Sequence, residues 1–87
     1  MTITDIRLSI INSDTAVKAI GSITFDNVLV IRGIRVMEDK NGNTFVVFPS
    51  REKSDGSYED IVFPLTKEFY NSITKTVLEE YNNIIKI

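Results

Sequence analysis

The 87-residue chain contains no cysteine and no histidine. Without cysteine it has no disulfide framework and no thiol chemistry. Without either residue it lacks an imidazole base, a thiolate nucleophile and the ligands of a conventional zinc site. Long hydrophobic runs are also missing, since nothing approaches the ~20 apolar residues that a membrane-spanning helix needs. The opening segment Met1-Thr2-Ile3-Thr4-Asp5-Ile6-Arg7 has neither the basic stretch nor the apolar stretch of a signal peptide, so a cytoplasmic protein without a membrane span is expected. Positive charge is scarce too: 10 Lys and Arg stand against 12 Asp and Glu, a net charge of −2. That balance excludes a protein that coats nucleic acid by bulk electrostatics, and any such contact must come from a local cluster of cations.

What the chain does have is apolar content, 43 % of its residues. This is enough for one folded domain over residues 1–87 rather than a disordered tail. A chain of this length buries only about 60–65 % of its unfolded surface, so its core is marginal and association through a sheet edge is a natural remedy. Ile6, Leu8 and Ile10 alternate with Arg7 and Ser9, the period of a strand with one buried face. The turn formers Asn12-Ser13-Asp14-Thr15 follow, and then Val17, Ala19, Gly21, Ile23 and Phe25 alternate as a second strand. Asp26-Asn27 marks a tight turn into a third strand, which Gly33 interrupts as a bulge would. Asn41-Gly42 is a strong hairpin signal, followed by a fourth strand at residues 44–48. A fifth is expected at residues 58–63.

Between the last two lies Phe48-Pro49-Ser50-Arg51-Glu52-Lys53-Ser54-Asp55-Gly56-Ser57, read as an exposed loop with its turn at Asp55-Gly56. After Pro64 the period changes. Phe69, Ile73, Val77, Tyr81 and Ile84 recur at helical spacing, with Thr66 as N-cap and Glu68 in the first turn, so a helix is expected over about residues 66–85. Strands over residues 3–63 closed by one helix give an α+β fold, an antiparallel sheet of about five strands with the helix packed on one face.

Few residues offer chemistry. Glu38, Asp39, Asp55, Glu59 and Asp60 show no metal-binding spacing, and Asp39 and Asp55 fall at turns, where Asp is expected for backbone reasons. Ser50 and Ser54 have no base, and no phosphate-cradling glycine loop occurs, so neither catalysis nor a cofactor is expected. Arg32, Arg35, Arg51 and Lys53 lie in or beside the loop-bearing part of the sheet, while Lys67, Asn71 and Lys75 form one ridge on the helix. Such side chains suit phosphates; the plainer reading is a solvated face with Lys75 paired to Glu79. Phe45, Phe48, Tyr58, Phe63 and Tyr81 are expected in the core. Ile20, Ile23, Val28 and Val30 belong to strands apolar enough to pair across a two-fold axis, and form the expected dimer interface.

In order along the chain, Thr4-Asp5-Ile6-Arg7-Leu8, Ala19-Ile20-Gly21-Ser22-Ile23-Thr24-Phe25-Asp26, Ile34-Arg35-Val36, Phe48-Pro49-Ser50, Asp55-Gly56, Asp60-Ile61 and Val77-Leu78-Glu79-Glu80-Tyr81 resemble the stage V sporulation protein G (SpoVG) family of small bacterial regulators. The resemblance implies a cytoplasmic homodimer, joined through its sheet, that binds DNA or RNA and is linked to septation and sporulation. It assigns binding to the basic segment after Pro49-Ser50 and to the helix, hence to Arg51, Lys53, Lys67 and Lys75, with Arg35 nearby. Glu52 stands where the family carries a second basic residue, and Tyr70 and Ser72 where its helix is often basic. The alternative is a protein-interaction module that engages a division or regulatory partner through a sheet edge or residues 50–58.

Overall fold

The period-2 patterning produces a four-stranded antiparallel sheet in the order β1-β2-β3-β4, from β1 (Ile3–Ile10), β2 (Val17–Phe25), β3 (Leu29–Glu38) and β4 (Thr44–Val47). The computed structural model describes residues 1–12 and 14–86. Ser13, part of the turn read at residues 12–15, lies outside them. Ile6 sits opposite Ile23 and Leu8 opposite Gly21, so the apolar positions of neighbouring strands share one face. Asp26 (φ 52°) and Asn27 (φ 56°) form the β2–β3 turn, and the Val28 amide donates to the Phe25 carbonyl at 3.0 Å. Two consecutive left-handed residues are what a type I′ hairpin requires, and Asp and Asn are the non-glycine residues that tolerate them best.

Gly33 is the bulge its position in the strand announced. Ile34 faces Gly21 and Arg32 faces Ser22, which leaves Gly33 as the extra residue at φ 82°. The side-chain alternation therefore resets there: Ile31, Ile34 and Val36 turn to the core, and Arg32 and Arg35 to the opposite face.

The sheet differs from the expected five strands. Residues 50–52 are not loop but β5 (Ser50–Glu52), paired antiparallel with β6 (Tyr58–Asp60) in a separate two-stranded ribbon. Its loop repeats the one at residues 39–43. Gly42 and Asp39 bond as Gly56 and Lys53 do, and the closing amides of Asp39 and Lys53 donate to Asn43 and Ser57. Asp-Gly thus nucleated a hairpin rather than an open excursion. β6 stops at Asp60 instead of reaching Phe63: the Ile61 amide still donates to the Pro49 carbonyl, but Pro49 has no N–H to continue the ladder and Phe48 before it is buried in the core.

The helix α1 (Lys67–Ile85) begins where the capping signal put it, with the Thr66 hydroxyl accepting from the Phe69 amide at 3.2 Å. Its stripe of Ile73, Val77 and Tyr81 is buried against Ala19, Ile23, Phe25, Ile34, Val36, Val46 and Phe48. The Phe69 ring lies 5.9 Å from that of Phe25, and the Tyr70 ring 6.2 Å from that of Phe48. One helix covers one face of the sheet. Of the aromatics expected in the core, Phe48 and Tyr81 are buried, whereas Phe45, Tyr58 and Phe63 are exposed. Phe45 falls on the uncovered sheet face, Tyr58 lies on the ribbon, and Phe63 lies on the linker at the rim of a cleft beside the start of the helix.

Candidate functional site

The six strands and single helix of the described residues distribute the cations over separate surfaces. Arg51 is in β5 and Lys53 opens the ribbon loop. Antiparallel pairing sets Arg51 opposite Glu59. The guanidinium donates to Glu59 Oε1 from Nε at 2.9 Å and from its terminal nitrogen at 2.6 Å, and Lys53 Nζ stands 3.6 Å from Glu59 Oε2. One carboxylate thus holds both cations. Sequence spacing did not disclose it, because Glu59 is eight residues from Arg51 and meets it only once the hairpin closes. At the loop tip, Asp55 accepts from the Ser57 hydroxyl at 2.6 Å and the Ser57 amide at 3.0 Å. Those bonds favour the ionised form and hold the Asp55 carboxyl below its usual range. Asp39 plays the matching role in the other loop, accepting from the Asn41 and Asn43 amides. Both are turn acids.

Lys67 and Lys75 stand on the helix and make no ion pair among the described residues; Lys75 does not pair with Glu79. Arg35 is elsewhere. It lies opposite Ile20 and Val47 on the sheet face that the helix leaves bare. The structure therefore brings Arg51 and Lys53 together but separates Arg35 from the helix lysines by the thickness of the sheet.

The residues read as a dimer interface divide as well. Ile23 is 1 % exposed, points to the helix and belongs to the protomer's own core. Ile20 and Val30 are exposed on the bare sheet face, and Val28, 85 % exposed, ends the β2–β3 turn. Near that turn is an apolar surface that the alternation pattern did not reveal. Leu29 and Phe63 rim a cleft floored by Phe25, Ile31, Phe48 and Phe69, and the adjoining linker exposes Ile61 and Leu65.

The family model for SpoVG matches residues 1–83. The chain belongs to the SpoVG family. Among similar proteins, one from Caldanaerobacter subterraneus subsp. tengcongensis is 41 % identical over 81 residues, covering 93 % of this chain and 88 % of the relative. One from Clostridium perfringens is 40 % identical over 84 residues, covering 97 % and 92 %. One from Caldicellulosiruptor saccharolyticus is 38 % identical over 85 residues, covering 98 % and 96 %. Each carries the name "Putative septation protein SpoVG". The family resemblance noted in the sequence thus extends over nearly the whole fold, hairpin and helix included.

Proposed function

We propose that this protein acts in the control of septation and sporulation as a cytoplasmic homodimer that binds DNA or RNA. Membership of the SpoVG family and the names of its relatives support the septation role. The observation that carries the nucleic-acid reading is the convergence of Arg51 and Lys53 on one carboxylate at an exposed ribbon. Their charges are focused on a point where an anion already sits. Exposed ion pairs contribute only about 0–1 kcal/mol, so a phosphate of a polynucleotide competes with Glu59 on favourable terms. Lys67 and Lys75 supply further phosphate contacts from the helix. A second copy is the occupant of the apolar cleft rimmed by Leu29 and Phe63, beside which Val28 and Leu65 stand exposed.

The test is fluorescence anisotropy with labelled duplex DNA and single-stranded RNA across a salt series. Affinity is expected to fall steeply with salt, and Arg51→Ala with Lys53→Ala to weaken binding about tenfold, with a salt slope shallower by about 1.8 on duplex DNA or about 1.4 on single-stranded RNA for two lost phosphate contacts. Unchanged affinity in the double variant would remove the ribbon from the site. A second reading, a protein-interaction module for a division partner, is favoured by one observation: Glu59 engages both of the ribbon's cations while Tyr58 beside it is 70 % exposed. It predicts salt-insensitive association with a protein and no retardation of either nucleic acid.

A further inference from the structure

The bulge at Gly33 has a consequence for charge. In a regular strand, residues three apart point to opposite faces. The extra residue at Gly33 instead puts Arg32 opposite Ser22 and Arg35 opposite Ile20, both on the face away from the helix. Across β2, Ser22 is also the partner of Arg7. Arg7, Arg32 and Arg35 therefore form a triangle over three adjacent strands, the first two in one cross-strand row about 10 Å apart at the usual strand spacing.

All three are exposed, and Arg32 and Arg35 have no ion-pair partner among the described residues. Among the described residues Arg7 pairs only with Asp5, through Nε at 3.0 Å, on the same strand and the same face. Three arginines against one carboxylate make this face positive on a chain whose net charge is −2. Between and beside the arginines, Ile20, Val30 and Phe45 are exposed on that face.

We propose that this open sheet face is a binding surface for single-stranded nucleic acid, with Arg7, Arg32 and Arg35 holding phosphates and Ile20, Val30 and Phe45 receiving unpaired bases. The proposal rests on the nucleic-acid reading above and adds a second surface to it. Charge decides the occupant. A second copy docked face to face would set arginines against arginines around the central Ile20, whereas a polyanion meets complementary charge. The apolar residues decide the strand state. A base reaches Phe45 or Ile20 only when it is unpaired, since in a duplex its face is stacked against its neighbours.

The experiment is anisotropy with a fluorescent 20-mer of dT and one of rU, at several salt concentrations, on the unsubstituted chain, on Arg32→Ala with Arg35→Ala, on Phe45→Ala, and on Lys67→Ala with Lys75→Ala. Both arginines are exposed, so circular dichroism and thermal melting should show the double variant folded. The proposal expects Arg32→Ala with Arg35→Ala to weaken binding of at least one oligonucleotide by tenfold or more. Its log–log salt slope should become shallower by about 1.4, for two single-strand phosphate contacts. Phe45→Ala should weaken binding several-fold with the slope unchanged. If the helix variant loses affinity and the arginine variant does not, the sheet face is overturned while the general reading stands. Binding by the unsubstituted chain that is confined to duplex DNA would also overturn it. No binding of any oligonucleotide at low salt would overturn both.

Discussion

A single glycine decides what the β3 arginines face. Gly33 is at φ 82°, a conformation that costs a residue with a Cβ about 1–2 kcal/mol. The space beside it is adequate, with Pro49 Cβ 3.5 Å from where a Cβ would stand, so the cost is conformational rather than steric. Gly33→Ala is therefore expected to lower unfolding stability by about 1–2 kcal/mol in urea denaturation, with the slope against denaturant unchanged. A neutral or stabilising outcome would show that the bulge relaxes. The same substitution should disturb nucleic-acid binding more than its stability cost accounts for, because a relaxed bulge would rotate Arg32 or Arg35 off the shared face. Glu59 acts at this scale as well, since its two oxygens engage Arg51 and Lys53 and set the charge the ribbon shows.

Elements succeed here because local signals and packing agree. In α1 the Thr66 cap, the acidic Glu68 in the first turn and the buried line of Ile73, Val77 and Tyr81 specify the same helix. Thr66→Ala removes the acceptor for the Phe69 amide, and is expected to cost about 1 kcal/mol by chemical denaturation; Thr66→Ser should restore most of it. Equal losses in both variants would mean that the residue matters for something other than its hydroxyl. The helix was legible because its period persists over 19 residues. The ribbon was not, because β5 and β6 have only three residues each, too few for alternation to register. Its turn residues were visible, but the cross-strand meeting of Arg51 with Glu59 depends on register, which only the closed hairpin defines.

At the scale of the whole molecule, surfaces rather than elements carry the functional argument. The cations that read along the chain as a group near the loop and a ridge on the helix occupy the ribbon, the solvent side of the helix and the bare sheet face. The apolar surface near Val28 and Phe63 lies off the bare face, so self-association there leaves the sheet arginines free. Leu65, 91 % exposed, is the residue to test. Phe63→Ser with Leu65→Ser should shift the mass in solution from dimer toward monomer, without the several kcal/mol loss that a core truncation brings. A dimer that persists undiminished would move the interface elsewhere. Ile20→Ser, on the sheet face, provides the contrast and should leave the mass unchanged.

The α+β class, the strand order along the chain, the capped helix, the tight turns and the bulge at Gly33 were all determined by the sequence itself. Each rests on interactions among residues close together: alternation, helical period, and backbone preferences of Asp, Asn, Gly and Pro. What the tertiary structure alone decided was which side chains meet or share a surface. It buried Ile23 in the protomer's core, divided the strands into a sheet of four and a ribbon of two, tied Arg51 and Lys53 to Glu59, and gathered Arg7, Arg32 and Arg35 on one face. Those outcomes depend on strand register and on which face the helix covers. Both are set by packing between residues far apart in the chain, beyond the reach of any local pattern.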